Sequence, residues 1–572
     1  MSIDIETYRL KAQEAIEYVF VKEYHNSLGI PMPIVKMLLP DDANYSTGQY
    51  YITIDKTWQI HLNFGKLPIS YHEFQNEVKV LTRHEIEHYM CCPFDVITHF
   101  RMLKRIRDVY YKHFSHLGIN IEYACGAISN QAADIIVDTK NYYRHSKETL
   151  KSEIDWIKIG ANISACPRHC KLMFLTKEAI WKEDLGINET DPEFLKIVHQ
   201  LADSFTKNGI EDKSSFLDKV EEYAEIFFKL YVEDQKNPQQ SSQQGSQQQS
   251  GQQGPQQQSG QQGSQQQSGQ WGVGRPKDGD EHGNAFVFAD PDKVKEAIEV
   301  LAEETSVEEF IDLLAIAGII GMSDQQKGVL WFNVQSANII PIVEFSNTGN
   351  KSSYTYPSVW RIGDPIEELD LMLTYMTSPR LIPGMTTKKW GYVSNDDNGT
   401  ESKQMDLLLV VDTSGSMGSA MKESANMHQA VLASYGILSY FESTKSKVAF
   451  IGFSDKIDAY VDWSDKYDDV RERLLTNGHG GTKFPISRIK STLDVRSRDL
   501  VTVLITNGDL GNINESVSYF RDYLNDDNKL YIFLLGGSKS LHSYEPLKNI
   551  GAKIYNANNA NEFCDMVLTD ME

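Results

Sequence analysis

The sequence predicts a multidomain chain: an N-terminal α+β domain, a low-complexity linker, and a C-terminal α/β domain with a mostly parallel sheet. Three observations predict this architecture. Between about Pro238 and Gln270 the chain consists almost entirely of Gln, Ser and Gly. Before that stretch, two segments with strand-like alternation precede helical segments. After it, buried strands alternate with helical stretches over residues 401–572, as in βαβ units.

Composition and charge restrict the possible partners and compartment. The formal net charge is −23 and 41% of the residues are apolar. Nucleic acids and anionic membranes favour a basic face, so this acidic balance argues against both. No apolar run approaches the roughly 18 residues that span a bilayer. The first residues also lack the basic and apolar regions of a signal peptide, and we therefore expect a cytoplasmic protein.

The N-terminal domain contains a metal-binding motif on a predicted helix. Residues 50–55 and 58–64 alternate like two half-exposed strands, and residues 74–82 have helical character. If the helix continues, His84 and His88 lie one turn apart on the same face. Two such imidazoles can hold Zn²⁺, with Glu85 placed to take a proton from water. The alternative is that both are ordinary surface or core histidines.

A later helix supplies acidic residues at helical spacing. Asn130, Asp134 and Asp138 are four residues apart and share one face. Strands followed by a His-Glu-x-x-His helix and an acidic helix resemble the zincin metallopeptidases, in particular the thermolysin-like gluzincins. This resemblance implies a zincin-like fold with Asp134 as third zinc ligand. It also implies that Asp138 orients an imidazole from the second layer.

The cysteines are too few for a disulfide framework in a chain of this length. Five of the six lie in the first third, at Cys91, Cys92, Cys125, Cys166 and Cys170. The spacing of Cys166, His169 and Cys170 would allow a structural zinc site together with Cys91 or Cys92. The favoured interpretation is a set of reduced, partly buried thiols.

Residues 236–285 are predicted to be a linker. A nine-residue polar unit recurs at 243–251, 252–260 and 261–269, and such a unit cannot bury a core. For about 33 residues, a flexible chain has an end-to-end distance of roughly 30 Å. The linker separates the N-terminal domain, residues 1–235, from the rest. Residues 286–400 are predicted to be a helical and extended connecting segment with a packing or docking role.

The C-terminal domain contains an oxygen-rich site at the end of a strand. The apolar run from Asp406 ends in Asp412, Ser414 and Ser416, one carboxylate and two hydroxyls. Ligands of open parallel sheets bind beyond the carboxyl ends of the strands. Mg²⁺ prefers oxygen ligands of this kind. A helix is predicted over about 423–441, and further buried strands over 447–455, 500–505 and 530–535.

The Asp-x-Ser-x-Ser pattern and these elements resemble the metal-ion-dependent adhesion site (MIDAS) of von Willebrand factor A (VWA) domains, over residues 401–572. The resemblance implies a Rossmann-like fold and Mg²⁺ held near Asp412, Ser414, Ser416, Thr482, Asn507 and Asp509. Asn507 stands where this family usually has aspartate, so the position carries no charge. Asp509 lies close enough in sequence to compensate.

The whole chain resembles fusions of a zincin-like metallopeptidase domain to a VWA domain, which are often partners of MoxR-type AAA ATPases. The resemblance implies a zinc-dependent peptidase whose VWA domain recruits a client or an ATPase through a carboxylate bound at the cation. The alternative is a non-enzymatic adaptor of such an ATPase, active in protein remodelling or metal insertion, with a structural N-terminal zinc.

Overall fold

The protein is multidomain, and its computed structural model divides into two compact units. The first comprises Met1–Thr305 with Glu309–Gly321, and the second comprises Ser306–Glu308 with Met322–Glu572. The structure describes residues 5–42, 45, 50–54, 58–64, 70–159, 163–236, 291–319, 322–339, 358–359, 388–389, 405–476, 478–496, 500–508, 510, 512–526, 528–536 and 541–557.

A small mixed sheet lies in the first unit. Its described strands are β1 (Ile34–Met37), β2 (Tyr50–Ile54) and β3 (Gln59–Phe64), in the order β1-β3-β2. β3 runs antiparallel to β2 and parallel to β1. The sequence predicts β2 and β3 but not β1, because a strand of four residues is too short to give a clear periodic signal.

Most of the first unit is helical. Its described α-helices are α1 (Ile5–Glu17), α2 (Tyr71–Met90), α3 (Val96–Val109), α4 (Ile121–Ile159), α5 (Arg168–Trp181), α6 (Pro192–Thr206), α7 (Phe216–Lys236), α8 (Pro291–Glu304) and α9 (Val307–Ile316). Single π-helical turns follow α1 (Tyr18–Glu23) and α3 (Tyr110–Phe114). α4 has non-helical dihedral angles at His145, where it kinks.

α2 is positioned by its cap and its apolar N-terminal half. Ser70 and Glu73 form a capping box, in which each side chain accepts a hydrogen bond from the other residue's backbone N–H. Phe74 and Val78 are fully buried in a core shared with α1 and β3. The helix then continues through the His-Glu-x-x-His motif to Met90. This half fixes the orientation of the polar half.

The two helices after the Gln-rich stretch belong largely to the first unit. α8 packs against α3, and ion pairs join α8 and α9 to α3. The sequence interpretation placed both helices in a connecting segment with a packing or docking role. The periodicity of a helix shows which of its faces is apolar, but it does not show that α3 is the element that covers that face.

The second unit contains a mostly parallel sheet covered by helices. Its described strands are the short β4 (Ser358–Val359) and β5 (Lys388–Lys389), then β6 (Asp406–Asp412), β7 (Val448–Phe453), β8 (Ile457–Ser464), β9 (Leu500–Thr506), β10 (Lys529–Leu535) and β11 (Lys553–Ala557). Its described helices are α10 (Asp324–Ile339), α11 (Asn426–Ser443), α12 (Tyr467–Leu474), α13 (Ile486–Leu493), α14 (Val517–Asn525) and α15 (Leu541–Lys548).

The strand order of the large sheet places β6 at its centre. Among the described strands the order is β11-β10-β9-β6-β7-β8, and only β8 is antiparallel to its neighbour. The chain passes from β6 to β7 on one side and later fills β9 on the other. The carboxyl end of β6 is therefore a topological switch point, where open α/β sheets bind ligands.

Among the helices described, none combines the length and apolar composition that a bilayer crossing demands.

Candidate functional site

The second half of α2 contains a run of buried polar side chains. Every residue from Leu81 to His88 is buried, including Arg83, His84, Glu85, Glu87 and His88. Burying a charged group is costly unless it is paired and hydrogen-bonded. This part of α2 is therefore held by specific polar contacts rather than by apolar packing alone.

Three donor atoms converge where α2 meets α4. The Nε2 atoms of His84 and His88 are 3.1 Å apart. The Oδ1 atom of Asp134 lies 3.5 Å from Nε2 of His84 and 3.2 Å from Nε2 of His88. Zinc–ligand distances of about 2.0–2.1 Å place tetrahedral donors about 3.3 Å apart. Among the described residues these three form the metal-capable group, and their spacing fits zinc.

The opposite nitrogens of both imidazoles have acceptors. Nδ1 of His84 lies 2.6 Å from Oδ1 of Asp138, and Nδ1 of His88 lies 3.0 Å from the backbone carbonyl oxygen of Cys92. Because both partners accept, each Nδ1 would carry a proton when a metal is bound, which would leave both Nε2 lone pairs for the ion. Oδ1 of Asp134 is buried at the same centre, 3.2 Å from Nε2 of His88. A bound cation would satisfy these converging donor atoms.

The charges at the centre are coupled. Burial alone would lower the pKa of His88, but the hydrogen bond and charge of Asp134, with the charge of Glu85, raise it to about 9. Burial would raise the pKa of Asp134, yet the hydrogen bond from His88 and the charges of both histidines lower it. An ionised carboxylate thus faces a proton on His88 in the metal-free protein. Metal binding would displace that proton.

A buried lysine, which the sequence interpretation missed, supports the second layer. Nζ of Lys177 on α5 donates to Oδ2 of Asp138 at 2.9 Å and to Oε1 of Glu153 at 2.5 Å. Burial would raise the pKa of Asp138, but the charges of Lys177 and His84 hold it well below its usual range. Asp138 is thereby kept ionised as the acceptor for His84. No spacing pattern connects Lys177 to the motif, since α5 reaches α4 only through tertiary packing.

Two further ion-pair groups fix α2 against its surroundings. Arg83 pairs with Glu23 at 2.6 Å and with Glu148 at 2.5 Å. Glu87 is fully buried and pairs with Lys140 at 2.8 Å. Arg144 and the Tyr24 hydroxyl also donate to Glu87, at 3.0 and 2.9 Å. These residues flank the histidines on α2 and restrict rotation of the helix about its axis.

Glu85 is the acidic residue next to the donor group in sequence. It follows His84 on α2, is 8% exposed, and contributes to the raised pKa of His88 through its charge. Glu85 therefore lies close enough to His88 to interact with it electrostatically.

The cysteines form no comparable centre in the described structure. None of Cys91, Cys92, Cys125, Cys166 and Cys170 is in a disulfide. Nδ1 of His169 lies 2.8 Å from Asp234, and the metal-capable group of the described residues includes no cysteine. Burial raises the pKa of the Cys170 thiol to about 12, as expected for an unreactive thiol.

The second candidate site lies at the carboxyl end of β6. Asp412 is fully buried, and its Oδ1 accepts from the backbone N–H of Ser414 at 2.9 Å. Its Oδ2 accepts from the Thr506 hydroxyl, at the end of β9, at 2.6 Å. Thr506 was not among the residues predicted from the sequence. Hydrogen bonds across the switch point thus orient the carboxylate.

The hydroxyls beyond Asp412 form a short chain. Oγ of Ser414 and Oγ of Ser416 are 3.1 Å apart, and Oγ of Ser416 donates to Oδ1 of Asn507 at 3.1 Å. Adjacent oxygens around octahedral Mg²⁺ are about 3.0 Å apart, since each lies about 2.0–2.1 Å from the ion. The spacing fits, but Asn507 also donates from Nδ2 to the backbone oxygen of Ser416 at 2.8 Å. Hydrogen bonds among these groups satisfy them without a cation.

Thr482 and Asp509 are the remaining two predicted ligands. Thr482 lies in a loop that approaches the ends of β6 and β7, where Gly415 N–H donates to the Gly480 oxygen at 3.3 Å. Lys483 N–H donates to the Ser454 oxygen at 2.8 Å on the other side of Thr482. Thr482 is thus held near the strand ends. Asp509 lies outside the described residues.

Comparison with known proteins identifies no family for this chain. No family model matches it, and no curated protein matches it either. A solved structure that is similar is the crystal structure of conserved hypothetical protein BatB from Bacteroides thetaiotaomicron, at 12% sequence identity and a TM-score of 0.25. The match covers 29% of this chain and 97% of that chain.

Proposed function

We propose that the protein is a zinc-dependent peptidase whose second unit is a VWA-like recognition module with a divalent-cation site. The observation that carries the proposal is the convergence of His84 Nε2, His88 Nε2 and Asp134 Oδ1 beside Glu85. When bound there, zinc would supply a Lewis acid that polarises a carbonyl and acidifies water.

The protein's own groups would perform the remaining steps. Asp138, held by Lys177, keeps the His84 ring in one orientation and tautomer. Glu85 would accept a proton from the attacking water and deliver it to the leaving amine. The ion pairs of Arg83 on the same helix would maintain these positions during turnover.

The second unit would supply recognition. A cation held near Asp412, Ser414 and Ser416 would leave a coordination position for a carboxylate of the partner. That partner would be a client protein or a MoxR-type AAA ATPase. Asp412 is the residue on which this function depends, because it is the buried carboxylate of the described cluster.

The mechanism is tested by replacing Glu85 with Gln in the full-length protein. We expect zinc content unchanged and cleavage of a fluorescence-quenched peptide library lost, because an amide cannot accept the proton. Cleavage at the wild-type rate by Glu85→Gln would contradict the mechanism.

Recognition by the second unit is tested by replacing Asp412 with Ala. This change should abolish Mg²⁺-dependent capture of the ATPase that is encoded nearest the gene. Asp494→Ala is the control, because Asp494 lies on the surface after α13.

The burial of the donors favours a second candidate, a non-enzymatic adaptor with structural zinc. His84, His88 and Glu85 are 4%, 3% and 8% exposed, and a closed site is typical of structural zinc. In that case the wild-type protein retains zinc but cleaves no member of the library. Glu85→Gln would then leave every measured property unchanged, whereas Asp412→Ala would still lose capture.

A further inference from the structure

α3 presents a line of basic side chains to the helices that follow the Gln-rich stretch. Nη2 of Arg107 lies 2.7 Å from Asp312, and its Nη1 lies 3.2 Å from Glu309. Nζ of Lys104 lies 2.8 Å from the same Glu309 carboxylate. One turn earlier, Arg101 pairs with Glu304 at 2.5 Å. Three basic residues of α3, each three positions from the next, therefore form ion pairs with acidic residues of α8 and α9.

The contact combines an exposed ion pair, Arg101–Glu304 with side chains 41% and 38% exposed, with a largely buried one. The side chains of Arg107 and Glu309 are 13% and 16% exposed, so both are largely removed from solvent. Apolar residues of α8 and α9 are buried as well, among them Leu301, Phe310 and Leu313. Partly desolvated charges beside a buried apolar face are typical of a specific interface.

The covalent connection does not impose this contact. Residues 237–290 separate α7 from α8, and the Gln, Ser and Gly composition of residues 238–270 predicts a coil. A coil of about 33 residues has an end-to-end distance of roughly 30 Å, so it permits many placements of α8 and α9. The complementary charges and the buried apolar face must select the observed one.

We propose that residues 291–316 are an acidic docking segment that binds the basic face of α3 as an intramolecular ligand. The first unit is thus completed by polypeptide from beyond the Gln-rich stretch. The largely buried ion pair of Arg107 and Glu309 and the buried apolar residues of α8 and α9 should maintain the contact without the covalent connection. This inference does not depend on either metal site.

A full-length protein with a protease cleavage site inserted after Gly260 tests the proposal. After cleavage, we expect the two pieces to co-elute in size-exclusion chromatography at low salt. High salt should weaken their association by about tenfold or more, because ionic contacts are screened. Separation of the wild-type pieces at low salt, at concentrations of about 10 µM, would overturn the proposal.

Charge variants identify the interface. Arg107→Glu should weaken the association of the cleaved pieces by about 10- to 100-fold, because it places like charges together. Arg105→Glu is the matched control, since Arg105 is on the same helix but pairs with Glu221 of α7. The swap Arg107→Glu with Asp312→Arg should recover much of the affinity, which separates loss of the ion pair from general damage. Equal association by the Arg107 and Arg105 variants would overturn the assignment.

Discussion

The two candidate metal sites differ in what holds their donor atoms in place. At the α2–α4 site, each imidazole is fixed by an acceptor on its outer nitrogen, and Lys177 supports one of these acceptors. At the end of β6, Ser416 and Asn507 hydrogen-bond to each other. The first site presents converging lone pairs to a cation, and the second satisfies its own polar groups. Preorganisation therefore favours tight binding at the first site and weaker, exchangeable binding at the second.

The charges of the two candidate sites also differ, and the difference favours tighter cation binding at the α2–α4 site. Asp134 and Asp138 both lie within the α2–α4 centre, and the pKa of each is lowered by neighbouring cationic groups. At the β6 site, Asn507 contributes a neutral amide beside the single buried carboxylate of Asp412. A divalent ion gains less there, because fewer anionic ligands compensate for its lost hydration.

The largest expected effect is loss of zinc on replacing His88 by Ala. Removing one donor should reduce zinc affinity by more than the roughly 10- to 100-fold typical of losing an outer partner. Zinc per protein would be measured by mass spectrometry after dialysis. His72→Ala is the control, because His72 is an exposed histidine on the same helix. Equal zinc content in the His88→Ala and His72→Ala variants would mean that His88 is not a zinc ligand.

Replacing Lys177, which supports Asp138, by Met should weaken both the fold and zinc binding. The ammonium of Lys177 is 2% exposed and compensates two carboxylates, Asp138 and Glu153. Its loss should lower the free energy of unfolding by about 3–5 kcal/mol. Zinc affinity should also fall by about 10- to 100-fold. Denaturation and zinc titration would check this, with the exposed Lys196→Met as control. Unchanged zinc affinity would show that Asp138 needs no support.

At the second site, Thr506→Val removes the hydroxyl that donates to Asp412. The buried carboxylate then lacks one donor, which should lower the free energy of unfolding by about 1–3 kcal/mol. Thr506→Ser keeps the hydroxyl and should retain most of the stability. Urea denaturation without and with Mg²⁺ would measure both variants. A Val variant as stable as wild type would mean that Thr506 does not orient Asp412.

The smallest effect should come from Asn507→Asp, which makes the two sites more alike. The added charge should tighten Mg²⁺ binding by about tenfold, or about 1.4 kcal/mol. Without Mg²⁺ the variant should be less stable by about 1 kcal/mol, because a carboxylate cannot donate to the Ser416 oxygen. Calorimetric titration would measure the Mg²⁺ affinity and urea denaturation the stability. Asn514→Asp is the control, because it adds the same charge at an exposed position. Unchanged Mg²⁺ affinity would mean that residue 507 does not face the cation.

Local spacing predicts the parts of the fold and of the first site that depend on helical geometry. His84 and His88 share a face because they are four residues apart, and so do Asp134 and Asp138. The structure brings the first three together and places Asp138 against His84. Their role as zinc ligands stays a prediction. The strands of the mostly parallel sheet were visible as apolar runs between polar turns.

Contacts that arise only in tertiary packing could not be predicted in this way. Lys177 reaches Asp138 from a separate helix, and the Cys92 carbonyl is a backbone group that any residue could supply. The packing of α8 against α3 joins segments separated by the Gln-rich stretch. Sequence periodicity describes which face of an element is apolar, but not which other element covers it.

One measurement tests the central claim, that the α2–α4 site is a preorganised zinc centre, most directly. Metal-free full-length protein would be titrated with zinc in the presence of a competing chelator, alongside His84→Ala and His88→Ala. The wild-type protein should bind one equivalent of zinc tightly, and neither variant should bind zinc under the same competition. Failure of the wild-type protein to take up zinc, or uptake by either variant equal to that of the wild-type protein, would contradict the claim.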